Sequence, residues 1–286
     1  MDGRRLQAVV PSIAASDGAG VKLRRSLGSR PSLRFDPFLM LDEFYSDDPN
    51  DYLAGFPVHA HRGFETVTYM LDGRMRHEDV LGNRGDLGPG DVQWMTAARG
   101  IIHSEMPQQT EGRMRGFQLW INLPAREKMK PAAYRDIPSS TIPALPLDGG
   151  GEARVIAGSL TQGGTTVDGP IAGLSTGPVY LDPRLPAGAA VSVPLPSTHN
   201  AFLYVYDGEA TVGPDAKALP YRAAGILTPG HEVSITASTN GARMLLLAGR
   251  PIGERVVQYG PFVMNTPEEI QQAIRDFQSG TFLQSA

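Results

Sequence analysis

Gly55-Phe56-Pro57-Val58-His59-Ala60-His61-Arg62-Gly63-Phe64-Glu65-Thr66-Val67-Thr68-Tyr69-Met70-Leu71-Asp72-Gly73 is the stretch from which the fold can be read. Residues 65–71 are rich in β-branched and aromatic side chains and end on Asp-Gly, a pair that tolerates the backbone angles of a tight hairpin. They read as a strand followed by a turn. Just upstream, His59 and His61 stand at i and i+2, so an extended backbone points both to one face. Similar short runs occur at 116–123, 201–206 and 242–247, and Asp207-Gly208 closes the run 201–206 as a second hairpin turn. Strands of this length and spacing predict an all-β fold, a sandwich or a barrel.

Composition agrees. Of the 286 residues, 33 are Gly and 24 Pro, about a fifth of the chain against a usual share of about 12%. Without a collagen-like period, that excess means many tight turns. Cysteine is absent, which removes disulfides, thiolate nucleophiles, iron–sulfur clusters and cysteine-type zinc sites together. Any metal must be held by His, Asp or Glu. With 26 basic and 30 acidic residues the net charge is −4, which argues against direct binding to nucleic acid. Residues 1–11 carry two arginines before a short apolar run, but Pro11 breaks it before it reaches signal-peptide length, so an opening strand is expected. The run 244–249 is far too short to cross a bilayer. The expectation is a soluble, cytoplasmic protein.

One segment reads as helix. Thr266-Pro267-Glu268-Glu269 supplies an N-cap, a first-turn proline and a capping-box glutamate, and Ile270, Ala273, Ile274 and Phe277 follow at helical spacing. A shorter helix is expected within 125–130. The proline-rich stretch 137–146 and the run Asp148-Gly149-Gly150-Gly151 connect two halves, 1–137 and 138–286. Tyr69-x-x-Asp72-Gly73 returns as Tyr204-x-x-Asp207-Gly208, an offset of 135, and Leu87-Gly88-Pro89-Gly90 resembles Leu227-Thr228-Pro229-Gly230, an offset of 140.

Chemistry is concentrated in the first half. His59-Ala60-His61 and His103-Ser104-Glu105 are two same-face pairs if each lies on a strand, and imidazole with carboxylate suits a first-row transition metal. Turns at Asp72-Gly73 and Pro89-Gly90-Asp91 can fold the second pair beside the first. Glu65 shares the strand parity of His61, so residue pattern alone leaves Glu65 and Glu105 both open as the carboxylate.

These segments resemble a known family. Residues 55–69, His77-Glu78-Asp79, the run from Gly90 to Ala97, Gly100-Ile101-Ile102-His103-Ser104-Glu105, and Gly116-Phe117-Gln118-Leu119-Trp120-Ile121-Asn122-Leu123-Pro124 are similar to pirins. So is the C-terminal Val256-Val257-Gln258-Tyr259-Gly260-Pro261-Phe262-Val263-Met264-Asn265-Thr266. The resemblance implies a bicupin: two antiparallel β-barrel or jelly-roll domains with a short C-terminal helix. The domains would be 1–137, holding one mononuclear transition metal, Fe(II) by preference, and 138–286, lacking a metal. Carried over position by position, the ligands would be His59, His61, His103 and Glu105, with Glu105 rather than Glu65 as the carboxylate and also as the catalytic proton acceptor. The echo places Pro194 and Pro196 where the first half has its histidine pair, and His199 and His231 read as surface or turn residues.

His77 is expected either beside the pocket as a hydrogen-bonding support or in a polar contact on the barrel wall. Phe56, Phe64, Met75, Trp94, Met95 and Phe117 are candidates for an apolar lining, most of them core residues. The implied activity is opening of the heterocycle of flavonols such as quercetin by O2 with release of carbon monoxide. The alternative is an iron-dependent redox-sensing protein that binds a transcription regulator or metabolic enzyme. Partners would therefore be a small aromatic substrate and O2, with a protein partner under the second reading, and neither nucleic acid nor a membrane.

Overall fold

The computed structural model describes residues 3–284. Almost every regular element is a strand, and among the described residues no helix is long and apolar enough to cross a membrane. The chain forms two compact units that are not consecutive halves. The first combines Ile13–Arg34, Phe38–Ser139 and the segment from Ile252 onward. The second combines the N-terminal segment ending at Ser12, Phe35–Pro37 and Ser140–Pro251. The change of unit at 139/140 lies close to the expected division at 137/138, but each end of the chain is built into the other half's unit. Backbone pairing is the reason. Leu6–Pro11 forms a ladder with Ala223–Leu227, and Arg62 and Val263 exchange backbone hydrogen bonds with the segments they meet.

In the first unit, a seven-stranded antiparallel sheet runs in the order Ala133–Ile137, Val92–Thr96, Phe64–Asp72, Met114–Asn122, Phe38–Ser46, Val21–Arg25, Ile13–Asp17. A four-stranded sheet has the order Phe56–His61, Ile101–Pro107, Met75–Asp79, Arg84–Leu87. Between them lies a core that includes Leu23, Phe44, Phe56, Met70, Met75 and Met114. The expected strands 65–71 and 116–123 are present, and Gly73 takes a φ of +84 in the turn after Asp72.

The second unit is built on a rolled nine-stranded sheet, with a separate hairpin of Ser159–Gln162 and Thr165–Asp168. Its long strand Glu232–Gly249 pairs with Ala190–Pro194 along one half and with Val179–Leu185 along the other, closing the roll around Val155, Leu181, Val193, Leu203, Val233 and Leu246. Asp207-Gly208 is not the hairpin turn expected. It lies inside Asn200–Val212, where the register against Glu232–Gly249 shifts on either side of it. Gly208, with φ +66, supplies a left-handed residue at this bulge, and a Cβ there would fall 2.1 Å from the Gly241 carbonyl.

The C-terminal helix Pro267–Gln278 has the expected capping box from Thr266 and Glu269. Ile270 and Ala273 are buried and Phe277 is exposed. The buried stripe packs with Phe262, Met264 and Phe282 on Ala60 and Ile102. Expected helix within 125–130 is reduced to a single 3-10 turn, Ala125–Glu127.

Arg62 ties this helix to the first unit. Its guanidinium pairs with Asp276 at 2.7 Å, and it donates to the Phe282 carbonyl at 2.8 Å and to the Arg99 carbonyl. Lys128 is also buried, and burial pushes its ammonium down to about 8. Its Nζ donates to the Gly63 and Val263 carbonyls and to Asn122 Oδ1. Gly63 cannot be enlarged, since a Cβ would fall 1.9 Å from the Val263 carbonyl. Removing one partner of a buried ion pair strands the other, at a cost of about 3–5 kcal/mol. Arg62→Met should lower the urea midpoint accordingly, and Arg62→Met with Asp276→Leu should regain part of it. Equal loss in the single and double variants would contradict this role for the pair.

Candidate metal centre

Two strand pairings build the site. Phe56–His61 and Ile101–Pro107 run antiparallel with His59 opposite His103 and Ala60 opposite Ile102. Side chains alternate along a strand, so Ala60 and Ile102 face the C-terminal helix while His59, His61, His103 and Glu105 face the seven-stranded sheet. The ligand nitrogens of His59, His61 and His103 all lie within 4.8 Å of one another.

Hydrogen bonds assign the tautomers. His59 Nδ1 lies 2.7 Å from the Pro57 carbonyl, which only accepts, so Nδ1 carries the proton and Nε2 is bare. His59 Nε2 is 3.0 Å from His61 Nε2, the spacing of two nitrogens each about 2.1 Å from one shared ion at right angles. His103 Nδ1 is 3.1 Å from His77 Nδ1, and His77 Nε2 lies 3.5 Å from Asp79 Oδ2. His103 Nδ1 is thus taken up by His77 Nδ1, which leaves Nε2 as the free ring nitrogen of His103. That nitrogen is buried without a protein partner. Such an orphaned inward nitrogen fits a metal ligand, and the donor set is suited to one.

His77 therefore supports a ligand. It is buried, packs on Tyr134 with ring centroids 4.7 Å apart, and lies opposite Glu105 in the ladder. Glu105 stands outside the imidazole cluster. Its Oε1 accepts from Thr68 Oγ1 and its Oε2 from Gln118 Nε2, both at 2.9 Å, so it bridges the two sheets. Trp120 Nε1 in turn donates to Gln118 Oε1 at 3.3 Å.

Glu65 is elsewhere. It bonds Thr96 at 2.7 Å, and burial pushes its carboxyl up. The chain changes sheets between His61 and Phe64, which breaks the parity that linked Glu65 to His61. On Phe64–Asp72, Thr68 faces Glu105, so Glu65, three residues away, points to the opposite face.

A cavity of about 590 Å³ opens beside His59 and His61. Phe56, Met40, Phe44, Gln118 and Trp120 are in its wall. Of the six apolar candidates, Phe56 alone is among the cavity's lining residues; Phe64 packs on Trp120 and lies 5.2 Å from the His61 ring. Thr68 and Gln118 were not singled out as site residues by sequence reading. The available signal was a polar side chain at inward parity within an otherwise apolar strand. In the second unit His231 is exposed in a bend, whereas His199 is buried, with Arg4 donating to its backbone carbonyl at 2.8 Å.

Two antiparallel rolled β units, one carrying converging imidazoles on adjacent paired strands, define a two-cupin protein. Residues 20–121 match the family model described as Pirin, and residues 180–283 the one described as the Pirin C-terminal cupin domain. A Pseudomonas aeruginosa protein named "Putative quercetin 2,3-dioxygenase" is 55% identical, covering 93% of both chains. A Caulobacter vibrioides pirin-like protein is 51% identical over 99% of this chain and 100% of its own. The crystal structure of quercetin 2,3-dioxygenase from Acinetobacter baumannii superimposes with a TM-score of 0.89 at 32% identity, covering 98% of each chain. The chain belongs to the pirin family.

Burial pushes His61 and His103 well down from the ordinary imidazole range, and neighbouring imidazoles add to the effect. The fold of the metal-free protein therefore holds both neutral, while the unfolded chain takes up protons below about pH 6.5. Stability of the metal-free protein should fall as pH drops through that value. Thermal unfolding between pH 8 and 5 should show a shallower fall for His61→Gln/His103→Gln; equal slopes would contradict the assignment.

Proposed function

We propose that the chain is a metal-dependent dioxygenase that opens the heterocyclic ring of flavonols such as quercetin with O2 and releases carbon monoxide. The observation that carries this reading is the convergence of three imidazole nitrogens, two of them from His59 and His61 in the wall of a largely apolar cavity. Its size falls within the usual range of small-molecule sites. Relatives and a solved structure bearing the quercetin 2,3-dioxygenase name support the substrate class.

His59, His61 and His103 would hold the metal, Fe(II) by preference, with Glu105 as the carboxylate ligand. When bound, the metal supplies a Lewis-acidic, redox-active centre that lowers the pKa of a substrate hydroxyl. The protein does the rest. Phe56, Phe44 and Trp120 hold a planar aromatic ligand and exclude water. Thr68 and Gln118 fix Glu105 by one hydrogen bond to each oxygen, leaving lone pairs to take the flavonol 3-hydroxyl proton. His77 holds His103 in the tautomer that turns Nε2 inward.

Elemental analysis should find one metal ion per chain, lost in His59→Ala, His61→Ala and His103→Ala and retained in Glu65→Ala. His77→Phe should weaken metal binding by about 10- to 100-fold. Loaded with iron, the protein should convert quercetin and O2 to carbon monoxide and the depside. Metal retention without turnover by iron, copper, nickel, cobalt or manganese would overturn the enzymatic reading in favour of the redox-sensing regulatory one.

A further inference from the structure

One row of polar side chains crosses the seven-stranded sheet and continues past Glu105. Strand register sets Gln118 opposite Thr68 on one side and Asp42 on the other, and Asp42 opposite Arg25. Directly opposed residues share a face. Arg25 and Asp42 therefore face the same way as the two side chains that clasp Glu105, and all of Arg25, Asp42, Gln118, His59 and His61 line one cavity. Arg25 sits two strands from Gln118, about 10 Å at the usual strand spacing.

This end of the cavity is a fixed pair of opposite hydrogen-bonding characters. Arg25 is held by Asp42 through Nε at 2.7 Å and Nη2 at 2.6 Å, and by Asp17 through Nη2 at 2.9 Å. Its Nη1 group has no protein partner among the described residues. Asp42 is buried, and burial pushes its carboxyl up to about 6 despite the adjacent guanidinium. Asp17 is half exposed and is also among the residues lining the cavity. A charge taken out of water at this cost does little for the sheet that a hydrophobic pair would not do. It does hold a cationic donor and an anionic acceptor side by side.

We propose that Arg25 and Asp17 form a specificity site for a 1,2-dihydroxyphenyl group at the end of the ligand remote from the metal. One phenolic oxygen accepts from Arg25 Nη1, and the neighbouring hydroxyl donates to the Asp17 carboxylate. Asp42 positions Arg25 and does not touch the ligand. The inference rests on the flavonol reading and narrows it to flavonols whose pendant ring carries adjacent hydroxyls.

The test compares quercetin with galangin, which lacks hydroxyls on the pendant ring, by tryptophan fluorescence quenching of the iron-loaded full-length protein under nitrogen. Binding is read without turnover. Quercetin should bind about 10- to 100-fold more tightly than galangin, the effect of losing hydrogen bonds to charged groups. Arg25→Met should bring the two affinities together by weakening quercetin and leaving galangin unchanged. Because that variant strands Asp42, Asp17→Ala serves as a second arm that leaves the buried pair intact, and it should reduce the preference as well. Equal affinities in the parent, or a preference that survives both variants, would overturn the specificity site while leaving the dioxygenase reading standing. Binding of neither flavonol would overturn both.

Discussion

Antiparallel register is the constraint on which the site depends. With His59 opposite His103, a period of two sends Ala60 and Ile102 under the C-terminal helix and turns every candidate ligand toward the opposing sheet. A slip of one residue would exchange the two sets. Small and aliphatic side chains would then line the cavity, and imidazoles would be pressed against Phe262 and Ile270. Register is pinned from both sides, since residues 103–107 of Ile101–Pro107 are also paired with Met75–Asp79.

Around that ladder, each residue after the histidine pair has a structural duty. Arg62 anchors the helix through Asp276, Gly63 admits the Val263 carbonyl, and Lys128 gathers the Gly63 and Val263 carbonyls with Asn122. Burying two cations is costly unless every donor finds an acceptor, and here backbone carbonyls supply most of them. The distant C-terminal segment thereby becomes part of the unit that carries the histidines.

Local periodicity made much of this legible. Strand runs, the capping box at Thr266 and the same-face histidine pair all depend on neighbours within a few residues, and each is present in the structure. What depends on long-range pairing was not legible. Asp207-Gly208 has turn chemistry but serves a bulge, because Glu232–Gly249 runs alongside without interruption. Glu65 kept the right parity on paper, yet the chain changes sheets at Arg62-Gly63. Arg25 and Asp42 are 17 positions apart and meet Gln118 only through strand order. Exchange of the chain ends between units is likewise a property of tertiary pairing and leaves no local mark.

The account turns on three imidazole nitrogens being presented to one ion. X-ray absorption spectroscopy of the iron-loaded full-length protein measures that shell directly. Scattering from three imidazoles at about 2.1 Å is predicted. A shell with fewer than three imidazoles would contradict it.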